Sequence, residues 1–196
     1  MSIYHKWGVV FVQIPKNASA AVHRILENPT DKSHDHRTYI DILSDNDPEM
    51  IENYYSFATV RNPYDRFVSA WEFERQNGRE MGFDETVYEF ERRGSFFYTN
   101  EDVFWWPQHR FITIRKAILV DKVMRYETLD ADWAEVHAEI IKRLPPYYSA
   151  PSILLKEENP SVLRGKKPWQ DYYTKETKEI VYKLYQKDFE IFNYEK

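Results

Sequence analysis

Hydrophobic positions along this chain gather into three short apolar runs separated by amphipathic stretches. Gly8 to Ile14 (Gly-Val-Val-Phe-Val-Gln-Ile) is apolar and β-branched over the length of a buried strand. Ser56 to Val60 and the run near 118–124 repeat that pattern. Between them the polar and apolar positions change to helical spacing. Ala18 to Glu27 reads as helix. After Asn62-Pro63, the residues Phe67, Val68 and Trp71 share one face. Asp84 to Arg93 reads as helix, and residues 49–55 as a helical turn. A helix capped by Asp130 carries Trp133, Val136, Ile140, Ile141 and Leu144 on one side, until Pro145-Pro146 ends it. The final helix, capped by Thr174, has Ile180, Val181, Leu184, Tyr185 and Phe189 as its stripe. Strands alternating with helices predict a three-layer α/β fold: a small, mostly parallel sheet flanked by helices. No repeat or linker interrupts it, so residues 1–196 are expected to form a single domain.

Composition narrows the function. A net charge of −5 disfavours nucleic acid, so any anion must be held by a local cluster. With no cysteine there is neither a disulfide nor a thiolate metal site nor a Cys nucleophile. No apolar run approaches a membrane span and no leader pattern opens the chain, so a cytoplasmic protein is expected. Oligomeric state is not encoded in any pattern.

The first apolar run leads directly into candidate chemistry. Pro15 ends the strand, and Lys16-Asn17-Ala18-Ser19-Ala20-Ala21 forms a small-residue turn into the helix. The first N–H groups of a helix seat anions, small side chains admit a phosphate, and Lys16 adds charge. An ordinary strand-to-helix turn with a surface lysine has the same composition. The Walker A pattern G-x-x-x-x-G-K-[ST] is absent. Downstream, His34 and His36 alternate in an extended segment. They suit a metal pair, a solvated loop or a general base. Asn62 and Pro63 suit a helix start, and Asp65 its positive end. Arg61 stands at the C-terminal end of the second strand, where α/β sheets place ligands. The aromatic run Phe104-Trp105-Trp106 suits core better than a sugar-stacking face. The charged stretch 72–103 reads as a substrate-side lid or a solvated loop.

Ile14-Pro15-Lys16-Asn17-Ala18-Ser19 resembles the 5′-phosphosulfate loop of the sulfotransferases, in their carbohydrate branch. Val60 to Ala70 (Val-Arg-Asn-Pro-Tyr-Asp-Arg-Phe-Val-Ser-Ala) resembles the family's 3′-phosphate motif, and Asp121-x-Val-x-Arg-Tyr-Glu-x-Leu its later wording. His34-x-His36 followed by Thr-Tyr-Ile-Asp is similar to the heparan-sulfate 2-O-sulfotransferase segment that supplies the catalytic histidine. The resemblance spans nearly the whole chain. It implies a P-loop-like fold and 3′-phosphoadenosine-5′-phosphosulfate (PAPS) as donor, leaving PAP as product. Sulfuryl transfer to a hydroxyl of a saccharide or small molecule would proceed by in-line displacement, without metal. By the match, His36 is the base and Lys16 the catalytic cation. Lys16, Asn17, Ala18, Ser19, Ala20 and Ala21 hold the 5′-phosphate, while Arg61 and Ser69 hold the 3′-phosphate. Arg164, in the basic loop Arg164-Gly165-Lys166-Lys167, adds a cofactor contact, and Arg66 is structural. His34, Gln108 and His109 are expected substrate contacts, His109 being the rival base. Ala20 and Ala21 depart from the family, which often carries hydroxyls there. A non-catalytic nucleotide-binding protein and a P-loop-type kinase are the alternatives.

Overall fold

The structure, a computed structural model, describes residues 2–26, 35–78, 80–93, 100–145, 147–149, 151–152 and 167–196. In chain order the elements are β1 (Ile3–Tyr4), β2 (Val9–Val12), α1 (Ser19–Leu26), α2 (Tyr39–Ser44), α3 (Pro48–Glu52), β3 (Tyr55–Val60), α4 (Pro63–Gln76) and α5 (Phe83–Arg93). A 3₁₀ turn at Asn100–Trp105 precedes α6 (His109–Ile112), β4 (Thr113–Ile114), β5 (Ala117–Ile118) and β6 (Lys122–Arg125). A 3₁₀ turn at Tyr126–Thr128 leads into α7 (Leu129–Arg143), and another at Trp169–Tyr172 precedes α8 (Lys175–Leu184) and α9 (Gln186–Phe192). Two compact units result: Met1–Val60 with Arg110–Glu158, and Arg61–His109 with Asn159–Lys196. Among the described residues no helix is long and apolar enough to cross a membrane.

The first unit carries a four-stranded sheet in the order β1-β2-β3-β6. Both β2–β3 and β3–β6 are parallel, and β1 runs antiparallel to β2. Every residue of β2 is fully buried, as expected of a strand covered on both faces. Phe11 and Phe57 stack 5.0 Å apart, and Trp133, Val136 and Ile140 of α7 pack in the same cluster. β1 lies in the lead-in, where no strand was expected. Gly8, at φ +61, makes the turn that folds it back.

The third apolar run, 118–124, is not one strand. Its first residues close a hairpin, Ala117–Ile118 pairing antiparallel with Thr113–Ile114 around Arg115 and Lys116. The sheet strand begins only at Lys122, because the Asp121 carboxylate accepts both the N–H and the hydroxyl of Ser56, each at 2.8 Å. Asp130 is not the cap of α7 either. Thr128 occupies that position, without a side-chain capping bond, and turns its hydroxyl to Asp132 at 2.8 Å. Leu144 leaves the helix extended, as a residue before proline must.

The second unit is aromatic. Phe67 and Phe90 lie 4.9 and 5.7 Å from Trp105 and Phe67 respectively. Trp71, Phe83, Val87, Val181 and Tyr185 belong to the same cluster. Trp105 is therefore core, and its indole N–H donates to Glu74 at 2.6 Å. Thr174 caps α8 through a capping box with Thr177. The final helix breaks at Tyr185, whose ring is locked by its hydroxyl donating to Trp105 C=O at 2.7 Å.

Candidate active site

In the first unit the site is built at the end of β2. The N–H of Ile14 donates to Val12 C=O at 3.0 Å, and Pro15 ends the ladder. Lys16 (φ 67) and Ala18 (φ 59) then take left-handed backbone. For non-glycine residues that conformation costs on the order of 1–2 kcal/mol each. A loop of this kind turns successive N–H groups toward one concave side, a geometry suited to anions. Asn17, almost fully buried, donates its Nδ2–H to Thr59 C=O at 2.8 Å and ties the loop to β3. The earliest hydrogen bonds of α1 run to Ala18 C=O, from Ala21 at 3.0 Å and Val22 at 3.4 Å. The Ala21 N–H is thus committed to the helix and its methyl is buried, so the expected phosphate contact at Ala21 is not open. Asn17 and Ala18 precede the helix and Ser19 and Ala20 open its first turn, where N–H groups lack helical partners and the helix dipole is positive.

His36 reaches the same strand end. Its Nδ1 lies 2.7 Å from the carbonyl oxygen of Gln13. A carbonyl only accepts, so Nδ1 carries the hydrogen and the basic lone pair of the neutral ring is on Nε2. The flanking residues hold the segment: Arg37 bridges Asp35 at 2.7 Å and Asp45 at 2.8 Å. Burial pushes the Asp35 carboxyl up, but hydrogen bonds from the Arg37 side chain and backbone, with its charge, outweigh this and hold it at about 2. Thr38 then caps α2 in a capping box with Asp41.

Gln13 itself is fully buried, and its amide donates to the Tyr4 hydroxyl at 3.0 Å. That hydroxyl lies 2.7 Å from Nδ1 of buried His23 on α1. The one sign of this network in the sequence was a glutamine inside an apolar strand.

In the second unit the site is built at the start of α4. Asn62 caps the helix, accepting from the Tyr64 N–H at 2.9 Å, with Pro63 at the first position. Buried Arg61 donates its Nε–H to Asp65 at 2.7 Å, which fixes the plane of the guanidinium. Asp65 and Ser69 are four residues apart, so Arg61 is held on the helix face that carries Ser69. Arg66 is fully buried and donates to Phe104 C=O at 3.0 Å, closing the end of a 3₁₀ turn. Burial lowers its pKa, against the neighbouring Tyr185 and Asp188. Its structural role was expected.

Gln108 is placed differently from the substrate contact expected of it. Gln108 is fully buried and its amide faces the Arg61 backbone. The side chain of His109 is 17% exposed, and its Nδ1 lies 2.7 Å from the buried Asp188 carboxylate. Asp188 was missed in the sequence. Its position beside Phe189, in a helix stripe otherwise read as apolar, was the available signal. His34 and Arg164 lie outside the described residues. Among the described residues no three His, Asp or Glu side chains gather in metal-binding geometry.

The first unit holds a mostly parallel sheet flanked by helices, as in an α/β protein. The sulfotransferase family model matches residues 2–195, and the chain belongs to that family. Its members transfer a sulfuryl group, in general from PAPS. No match was found among the curated proteins or among the solved structures.

Proposed function

We propose that this chain transfers a sulfuryl group from PAPS to a hydroxyl on a saccharide, with His36 as the general base. The observation that carries the proposal is the His36–Gln13 bond of 2.7 Å, which holds a basic Nε2 at the strand end from which Lys16 emerges. The fold is read with it as P-loop-like, a strand-turn-helix anion loop without the Walker A residues.

Two features support PAPS as the donor. Two left-handed positions before α1 suit its 5′-phosphate end, and a planar arginine fork pinned by Asp65 suits its 3′-phosphate. When bound, PAPS supplies the sulfuryl group, which passes to the acceptor oxygen as the sulfur–oxygen bond to the 5′-phosphate breaks and PAP remains. The N–H groups of Asn17 to Ala20 hold the 5′-phosphate. Lys16 meets negative charge growing at that end. Arg61 and Ser69 bind the 3′-phosphate. His36 Nε2 takes the proton of the acceptor hydroxyl.

A second assignment of the base has its own support. The His109 Nδ1 faces the Asp188 carboxylate, which accepts its hydrogen, so in the neutral ring the lone pair sits on Nε2. Transfer of labelled sulfate from PAPS to a panel of saccharides tests the function. Loss of transfer in His36→Ala with PAP binding retained supports His36, and the same result in His109→Ala supports His109 instead. A protein that binds PAP and transfers to no acceptor would be a binding protein on this fold.

A further inference from the structure

Arg61 sits at the junction of two elements. β3 ends at Val60 and the cap of α4 is Asn62. The direction of its side chain depends on the backbone at that junction. Gln108 binds that backbone on both sides. Its Oε1 accepts the N–H of Arg61 at 2.9 Å, and its Nε2–H donates to the C=O of the same residue at 2.8 Å. The amide thus pairs with one residue as a neighbouring strand would, through a side chain. Of the common side chains of this size, a primary amide alone offers an acceptor and a donor in one plane.

Gln108 is in turn anchored. Its own N–H donates to Asp188 Oδ2 at 2.7 Å, and Asp188 Oδ1 accepts the His109 N–H at 2.9 Å. Both Gln108 and Asp188 have no exposed surface. Buried backbone groups that lose their partners are costly, so the clamp holds one geometry.

We infer that Gln108 is the positioning residue for Arg61, and that Asp188 on α9 holds Gln108 in register, so that this clamp sets how strongly the protein distinguishes a nucleotide with a 3′-phosphate from one without. The inference rests on the proposal that Arg61 binds the 3′-phosphate. Asp65 fixes the plane of the guanidinium, and Gln108 fixes the backbone from which it springs.

The test is the ratio of PAP to AMP affinity, measured by calorimetry in the absence of turnover. The proteins are wild type, Arg61→Ala, Gln108→Met, Gln108→Glu and the double variant Arg61→Ala/Gln108→Met. Gln108→Glu keeps an acceptor for the Arg61 N–H but sets an oxygen against its carbonyl. Circular dichroism selects the folded variants. The expected result is a loss of PAP affinity of about tenfold or more in either folded Gln108 variant, with AMP affinity changed less than about threefold. In the Arg61→Ala background, Gln108→Met should cause no further loss, because the clamp would have nothing left to aim.

If Arg61→Ala reduces the ratio while a folded Gln108 variant keeps it, the inference is overturned and the nucleotide assignment stands. Additive losses in the double variant also overturn it, since they mark a purely structural residue. If Arg61→Ala itself keeps the wild-type ratio, the assignment of Arg61 fails and takes the inference with it. Should neither single Gln108 variant fold, Asp188→Asn removes the anchor one step back, and an unchanged ratio in that protein overturns the proposal.

Discussion

At the scale of single residues, the two ends of the proposed chemistry are held by different means. Lys16 is positioned by backbone strain, since its left-handed φ of 67 is paid for by the rest of the loop. His36 is oriented by its hydrogen bond to Gln13. The two should therefore respond differently to mutation. On the proposed mechanism, Lys16→Ala removes a charge that acts most in the transition state. It should lower kcat by the equivalent of about 2–4 kcal/mol, as read from steady-state transfer rates; unchanged turnover would remove Lys16 from the mechanism. His36→Ala should lower kcat by about 10²–10⁴-fold and leave the PAP dissociation constant within a factor of about three. A similar drop in PAP affinity would show that His36 shapes the loop instead of moving a proton. Ala18, at φ 59, supplies a stability test of the loop alone. Ala18→Val puts a β-branched side chain into left-handed backbone and should lower the melting temperature, whereas Ala18→Gly should not.

At the scale of elements, the segment that carries His36 is stabilised by charge. The Asp35 carboxyl has its folded pKa held at about 2, below the ordinary value of 3.8. A depressed carboxyl stabilises the fold above its unfolded pKa and loses that contribution as pH falls through the folded one. The contribution, on the order of 2 kcal/mol, is present at neutral pH and disappears between about pH 4 and pH 2. Asp35→Asn should therefore be less stable than wild type at pH 7 in urea unfolding, with the two curves converging toward pH 2. Equal stability at pH 7 would mean that the Arg37 bridge does nothing for this segment. The elements also divide by how they are encoded. β2, β3 and the cap of α4 were legible because local signals agree with burial: a β-branched run, then Asn-Pro at the helix start. The run at 118–124 was not legible, because its division depends on Asp121 meeting Ser56, 65 residues away in sequence. Nor was the break at Tyr185, which reflects a bond to Trp105 across 80 residues. Gln108 falls in the same class. From the sequence it is a polar residue after an aromatic run, and only the fold shows that both ends of its amide meet Arg61.

At the scale of the molecule, two separate cores serve one chain, and the family match covers both. A chain with net charge −5 must bind a multiply charged anion against its own field. Binding to the folded state alone stabilises it by mass action, by about 2.7 kcal/mol at a ligand concentration 100 times the dissociation constant. For a protein of this size that corresponds to a rise in Tm of roughly 5–10 °C. PAP should produce that rise in a thermal-shift measurement. AMP at the same concentration should give a smaller one, since it cannot engage Arg61 and Ser69. Mg-ATP should add nothing beyond what AMP gives, because Walker A residues are absent and a γ-phosphate has no assigned partner. Screening gives the measurement a second axis. The PAP shift should shrink as salt is raised, and a buried, Asp65-pinned Arg61 should keep part of it where exposed cations would not. A rise with Mg-ATP larger than that with PAP would move the protein out of sulfuryl transfer and toward phosphoryl transfer, whatever the loop after β2 resembles.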